Sequence, residues 1–237
     1  MKKNILVFIL GLFAISTFAQ TVSESTIKKV SLGYDLYNSF WIDMPTDING
    51  TPVDSRLVNQ GINIFVMYNH DLNDKGLSVA AGLGVSSENL FISSDHYVSN
   101  AHPSVVTDVV GFKPLPEGLS FSRNKMNFTY LDIPIELRFK TEKNLRFGLG
   151  FKFGILLDSK IAYKGDAFDD AGNYLGYVEI SKDKKINQLE DYRFGVQLRA
   201  GYKWVQLFGY YSLNKVFIAD KGPQMYPIHI GVTFMPF

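Results

Sequence analysis

Asn127-Phe128-Thr129-Tyr130-Leu131-Asp132-Ile133-Pro134-Ile135-Glu136-Leu137-Arg138-Phe139-Lys140 is the stretch that decides the fold. Thr129, Leu131, Ile133, Ile135, Leu137 and Phe139 form one row. Tyr130, Asp132, Pro134, Glu136 and Arg138 form the other. A helix would place apolar residues three and four apart, so strict alternation marks a strand. After a short turn the pattern resumes, with Leu145, Phe147, Leu149, Phe151, Phe153, Ile155 and Leu157 set against Arg146, Gly148, Gly150, Lys152 and Gly154. It recurs from Glu190 to Trp204. There Tyr192, Phe194, Val196, Leu198, Ala200, Tyr202 and Trp204 oppose Arg193, Gly195, Gln197, Arg199, Gly201 and Lys203.

Working outward, the same period predicts eight strands, over 28–41, 60–69, 76–91, 127–140, 144–158, 190–204, 205–214 and 227–237. Each exceeds the five or six residues usual in soluble sheets. They suit tilted membrane strands, which need about 9–11 residues. The connections over 42–57, 92–126, 159–189 and 215–226 are long. Those over 70–75, 141–143 and near 203–206 are short. Alternating long and short connections between antiparallel strands describe an all-β, eight-stranded, antiparallel up-and-down transmembrane β-barrel of the outer membrane. Short turns then face the periplasm, long loops face outward, and both termini are periplasmic.

Alternation alone does not fix which face is inside. A soluble lipocalin-like barrel would turn the apolar face inward. The glycine-and-charge face opposite an unbroken Leu/Phe/Ile face, with an export leader, favours lipid outside. Gly82, Gly84, Gly148, Gly150, Gly195 and Gly201 fit a narrow lumen, and each could also mark a strand bend. Aromatics at 14%, with 13 Tyr and 19 Phe, suit girdles at two membrane interfaces.

Met1-Lys2-Lys3, the apolar run from Ile5 to Phe18, and small residues before Gln20 have the layout of a secretory signal peptide. The apolar run is too short for a membrane-spanning helix, which needs about 20 residues. The expectation is a cleaved leader over 1–19 and a single outer-membrane β-barrel domain over 20–237. The chain has no cysteine, so neither a disulfide framework nor lipid attachment to an N-terminal Cys is expected. A net charge of +1 gives no argument for nucleic acid.

Chemistry-bearing residues gather on the inward face. Asp132, Glu136, Arg138, Arg146, Lys152, Arg193, Arg199 and Lys203 are expected to form a structural ion-pair network in the lumen, with help from Asp35 and Glu190. An isolated charge there is costly, so these groups must pair or be hydrated. The functional alternative is a lumen lined for an anion or a moving proton. Asp132 and Glu136 are four residues apart on one strand, about 13 Å between Cα atoms, too far for cooperative acid–base work. His229 is the only strand-borne histidine, and no G-x-S-x-G motif accompanies it. Asp95, His96 and His102 match no strong metal pattern. Asp166, Asp169 and Asp170 lack the spacing of an EF-hand. No catalytic residue, metal or cofactor is expected. The polar loops read as solvated outward segments.

The run from Tyr130 to Arg138 resembles the Y-L-E-I-P-L strand of the PorT-like outer-membrane β-barrel family of Bacteroidetes. Phe147 to Gly154, Phe194 to Gly201 and Ile228 to Phe234 fit the later strands of the same family, and the Ala19-Gln20 junction resembles leaders of such bacteria. The resemblance implies an eight-stranded outer-membrane barrel and little about activity. Its founding member is tied to the type IX secretion machinery. In many such barrels the final aromatic shares a face with apolar residues two, four and six back. Here Ile228, Ile230, Val232 and Phe234 are out of step with Phe237.

The expected function is a non-enzymatic outer-membrane barrel with a side-chain-filled lumen. It would act as a structural or interaction protein through its long outward loops or its periplasmic rim. The alternatives are a small porin-like transport or ligand-binding barrel, or an accessory barrel of a type IX-like secretion system. The expected partners are outer-membrane lipid and a protein at the extracellular loops. Nucleic acid is not among them, and the chain is expected to be a monomer.

Overall fold

The computed structural model describes residues 29–47, 49–102, 108–169 and 171–235. The expected leader, Asp170 and the terminal Pro236-Phe237 lie outside the described residues. In chain order the strands are β1 (Val30–Ile42), β2 (Gln60–Asp71), β3 (Leu77–Phe91), β4 (His96–Ser99), β5 (Gly111–Pro114) and β6 (Phe121–Lys140). There follow β7 (Leu145–Phe168), β8 (Tyr174–Asp183), β9 (Tyr192–Tyr202), β10 (Val205–Ser212) and β11 (Tyr226–Phe234). No helix occurs among the described residues.

Eight of these strands close a ring in the order β1-β2-β3-β6-β7-β9-β10-β11, every pairing antiparallel. Closure is made by β1 on β11, from Tyr34 opposite Phe234 to Ile42 opposite Tyr226. A closed ring leaves no unpaired backbone edge in lipid, which is why barrels can span a bilayer. Burial settles the facing. Ile135, Leu137 and Phe139 pair laterally with Phe151, Leu149 and Phe147, and all six side chains are exposed on the outer face. Asp132 and Glu136 on the opposite face of the same strand are buried. An outward apolar band with a polar interior is the reverse of a soluble barrel.

Aromatics flank that band. Tyr34 stacks on Phe234 at 5.2 Å, with Trp204 at 5.9 Å from the same ring, near the short-turn end. Phe153, Tyr192 and Phe194 stack in sequence at 6.1 and 6.3 Å further along the outer face. The tightest turn joins β9 to β10, with Tyr202 paired directly to Val205 and Lys203 at φ +52°.

The long connections are more ordered than the sequence suggests. β6 begins at Phe121 and β7 runs on to Phe168, so this pair continues past the ring as a two-stranded tongue. β8 adds a third strand to it, within the segment expected to be a loop. A register shift at Thr129/Tyr130 marks a bulge just past the point where β7 parts from β9, while β6 stays paired with β3 as far as Lys125; bulges of this kind bend a strand and re-aim its side chains. β4 and β5 form a separate hairpin inside the 92–126 connection.

The loops also carry a core. Val53, Ile92, Phe112, Ile186, Val216, Phe217 and Met225, all from connections or the small hairpin, pack with Trp41, Leu90, Met126, Phe128 and Ile161 from the strand ends. The expectation of solvated loops is therefore corrected: these segments cap the barrel with an apolar cluster. Burying such groups, each contributing on the order of 1.5–3 kcal/mol, holds the cap in one arrangement.

Candidate functional site

Below the cap, the lumen is occupied by charge. Inward positions on the ring strands face one another across a narrow bore, so residues far apart in sequence meet. Arg193 on β9 donates from Nη2 to both oxygens of Asp132 on β6, at 3.0 Å each, and to Ser86 Oγ at 2.6 Å. Its Nη1 lies 3.0 Å from Glu88 Oε1 on β3. The guanidinium also sits 4.0 Å from the ring centroid of Tyr130. Two carboxylates and an aromatic face thus surround one fixed cation, the arrangement suited to a planar guanidinium.

A second cluster lies nearer the short-turn end. Arg199 donates from Nε to Glu136 Oε1 at 2.8 Å. Its two terminal nitrogens reach Asp35 on β1 at 2.5 and 3.1 Å. Thr233 on β11 bonds the same Arg199 and donates to Asp35 at 2.7 Å. Gln197 donates to Glu136 at 2.8 Å, Arg138 Nε donates to its other oxygen at 2.6 Å, and Asn63 donates to Asp35 at 2.9 Å. Charge-assisted, partly bidentate bonds of this kind are the strong class.

Lys152 stands between the clusters. It is 1% exposed, with Nζ 3.6 Å from Asp132 and 4.1 Å from the ring of Tyr210. No aligned hydrogen bond serves Nζ, so the carboxylate and the ring face are what offset its burial.

His229 is fully buried, stacked 4.4 Å from Tyr37 and tilted against Tyr210 at 5.1 Å. Its Nε2 lies 2.5 Å from Glu88 Oε2. It is a packing and polar partner in the lumen wall. Phe65, Met67, Ala80 and Met235 form a small apolar layer toward the short-turn end. There the bore opens into a recess of about 260 Å³ lined in part by Arg138, Arg146, Asn69 and Gln206.

Of the residues expected in the network, Asp132, Glu136, Arg138, Lys152, Arg193 and Arg199 are brought together. Arg146 is half-buried at the recess, and its Nε has no aligned partner. Lys203 is a correction. It occupies the exposed two-residue turn, 5.2 Å from the ring of Tyr202, because its strand ends one residue earlier. Asp35 joins the network as expected, whereas Glu190 enters none of the ion pairs found among the described residues. Glu88 and His229 were missed. Both follow the inward phase, Glu88 from Gly82, Gly84 and Ser86, and His229 from its position between outward Ile228 and Ile230, so counting on by twos would have found them.

The loop candidates resolve into structural contacts. His96 lies 3.3 Å from Asp47, whose other oxygen accepts from the backbone of Asn49 and Thr51 at 2.8 Å each. These contacts tie the first long connection to β4. Asp166 accepts from Ser120, and Asp169 accepts from Ala171 and Asn173. Among the described residues no group of three or more His, Asp or Glu side chains could hold a metal ion.

The family model described as "Outer membrane protein beta-barrel domain" matches residues 18–217 of this chain. No curated protein matches it. A solved structure of Ail, the attachment invasion locus protein of Yersinia pestis, in complex with the heparin analogue sucrose octasulfate, is similar at 10% identity and a TM-score of 0.36. That similarity covers 87% of this chain and 97% of that one. The closed ring, its outward apolar band and the extent of the family match lead to one conclusion: the chain belongs to the outer membrane protein beta-barrel domain family and resides in the outer membrane.

Proposed function

We propose that this is a non-enzymatic barrel that conducts nothing and works as an interaction protein through its capped long-loop end, which faces outward. The observation that carries this reading is the double closure of the bore. Two arginine–carboxylate clusters fill the middle, and an apolar cap of loop residues lies above them. An eight-stranded barrel has room for side chains or one small ligand, and here the side chains take that room. With no passage, the exposed tongue formed by β6, β7 and β8 and the surrounding loops are the surface left for work. The segment 1–19 serves as the export leader, and the chain acts as a monomer, the closed ring offering no strand edge for pairing with a second copy. The run from Tyr130 to Arg138 supports placing it in the PorT-like branch of the family.

The test is reconstitution of the full-length mature chain in planar bilayers beside a heat-modifiability gel. A heat-shifted band with no steady conductance is the expected result. Steady conductance from the folded form would overturn the closed-lumen reading and favour the porin-like alternative.

A further inference from the structure

The outer face of the tongue carries a block of positive charge where the lipid-facing band ends. Register places it residue by residue. Lys125 on β6 pairs with Ala162 on β7, which pairs with Lys182 on β8. One row further from the membrane, Arg123 pairs with Lys164, and Lys164 with Ile180. One row nearer, Asn127 pairs with Lys160. These side chains share a face because rows alternate, and the opposite face of the same strands holds the buried Asn124, Met126 and Ile161. Arg123, Lys160 and Lys182 all act electrostatically on Lys125.

That face is continuous with the membrane surface of the barrel. Below Lys125 the same row of β6 runs through Thr129 to Leu131, Ile133, Ile135 and Leu137, the apolar stripe. The ring of Phe91, paired with Lys125 across β3 and β6, lies between two cations. Lys125 Nζ is 4.9 Å from its centroid and Arg56 Cζ 5.1 Å. Carboxylates on this face are few. Asp158 lies 4.0 Å from Lys160, and Asp166 is held by Ser120. Glu179 and Asp183 point to the other face, into a recess with Tyr163. Strands lie about 4.8 Å apart, so Lys125 and Lys182 stand about 10 Å from each other with small Ala162 between them. That gap is wide enough for a phosphate group, and the apolar stripe lies directly beneath it.

We propose that this face is a docking surface for a phosphorylated glycolipid of the outer leaflet, with the headgroup phosphate between Lys125, Lys164 and Lys182 and the acyl chains along Leu131 and Ile133. A lipid rather than a free anion is the occupant because the charge block and the lipid-facing stripe are one uninterrupted face. The proposal rests on the long-loop end facing outward.

The probe is diphosphoryl lipid A, added to the folded full-length mature chain in detergent, with bound lipid counted by native mass spectrometry. The combined variant Lys125→Gln, Lys164→Gln, Lys182→Gln is expected to bind at least about tenfold more weakly, since each basic residue near an anionic lipid surface contributes measurably. Parent binding is expected to weaken as salt rises. A control variant at the opposite rim, Lys75→Gln, Lys143→Gln, Lys203→Gln, is expected to bind like the parent. Fully dephosphorylated lipid A is expected to bind the parent no better than the tongue variant binds the phosphorylated form. Heat-modifiability gels check that each variant is folded.

Equal binding by parent and folded tongue variant would overturn the proposal, as would displacement of lipid A by equimolar inorganic phosphate. Orientation is read separately. The parent has no cysteine, so Lys182→Cys can be labelled on intact cells with a membrane-impermeant maleimide. Labelling supports the outward reading. Labelling only after lysis would overturn that reading and the outer-leaflet occupant, even with the phosphate preference intact in detergent.

Discussion

Arg199 and Asp35, 164 residues apart in sequence, meet inside the barrel in a two-pronged ion pair at 2.5 and 3.1 Å. Neither is on a strand adjacent to the other, since β10 and β11 lie between them in the ring. The pair therefore braces the wall across the bore. Both side chains are almost wholly out of solvent, which makes each dependent on the other.

Removing one partner should be costly. Arg199→Leu leaves Asp35 and Glu136 buried without their main cation, and breaking a buried pair in this way costs about 3–5 kcal/mol. Urea titration of the folded band on heat-modifiability gels should show that loss. Replacing Arg199, Asp35 and Glu136 together by Leu should restore most of the stability, because the one charge that loses its partner, Arg138, lies at the recess rather than fully buried. If the triple variant is as unstable as the single one, packing rather than charge pairing holds this layer.

Leu149 and Gly150 should respond in opposite ways to size and charge. Leu149 is exposed on the outer band, and Leu149→Arg at mid-depth should cost about 2–4 kcal/mol through the lipid alone. Gly150 faces inward, and a Cβ there would meet the carbonyl oxygen of Ile135 at 2.5 Å and Glu136 Cγ at 2.6 Å. Gly150→Ala should destabilise in lipid and in detergent alike, whereas Leu149→Ser should be tolerated in detergent. Reversed sensitivities in a side-by-side unfolding series would mean that the facing is wrong.

The cap should loosen separately from the barrel. Phe217 is fully buried among loop residues, and its ring supports Gly222 in the same connection. Phe217→Ala should cost about 3–5 kcal/mol of local order. Limited proteolysis should then cut the β10–β11 connection while the heat-shifted band survives. Loss of the band itself would show that cap and ring fold as one unit.

Acid should open the turn between β7 and β8. The backbone N–H of Asn173, then its side chain and the N–H groups of Ala171 and Gly172, hold the exposed Asp169 carboxyl below its usual range. A carboxylate with a depressed folded value stabilises the turn above the unfolded value of about 3.9. That contribution is lost as pH falls further, through the folded value. Amide exchange at Ala171 and Asn173 should therefore accelerate below about pH 4. Asp169→Asn should flatten this pH dependence, and an unchanged profile would assign the effect to another group.

The lumen was partly legible because inward phase is a local property. Asp132, Glu136 and Arg193 could be assigned to one face by counting in twos. Their pairing could not, since it depends on which strands stand opposite across the bore. Lys203 shows the limit of the same rule. It keeps the phase of Arg199 and Gly201, yet the hairpin turns at that residue and puts it outside. The tongue and cap were read as loops because their residues follow no period. Phe112, Ile186 and Phe217 are single apolar residues in polar surroundings, and only their convergence makes a core.

Alternation by itself determined the eight strands and their antiparallel order, and the glycine-and-charge row opposite the Leu/Phe/Ile row marked the surface that meets lipid. These follow from the two-residue repeat of an extended chain and the need to pair every backbone group in a bilayer. Tertiary structure alone decided which charges meet across the bore, that Glu88 and His229 are buried among them, and that the basic residues of β6, β7 and β8 form one face. Those outcomes depend on register between strands distant in sequence, and register is fixed only when the ring closes and the loops pack down on it.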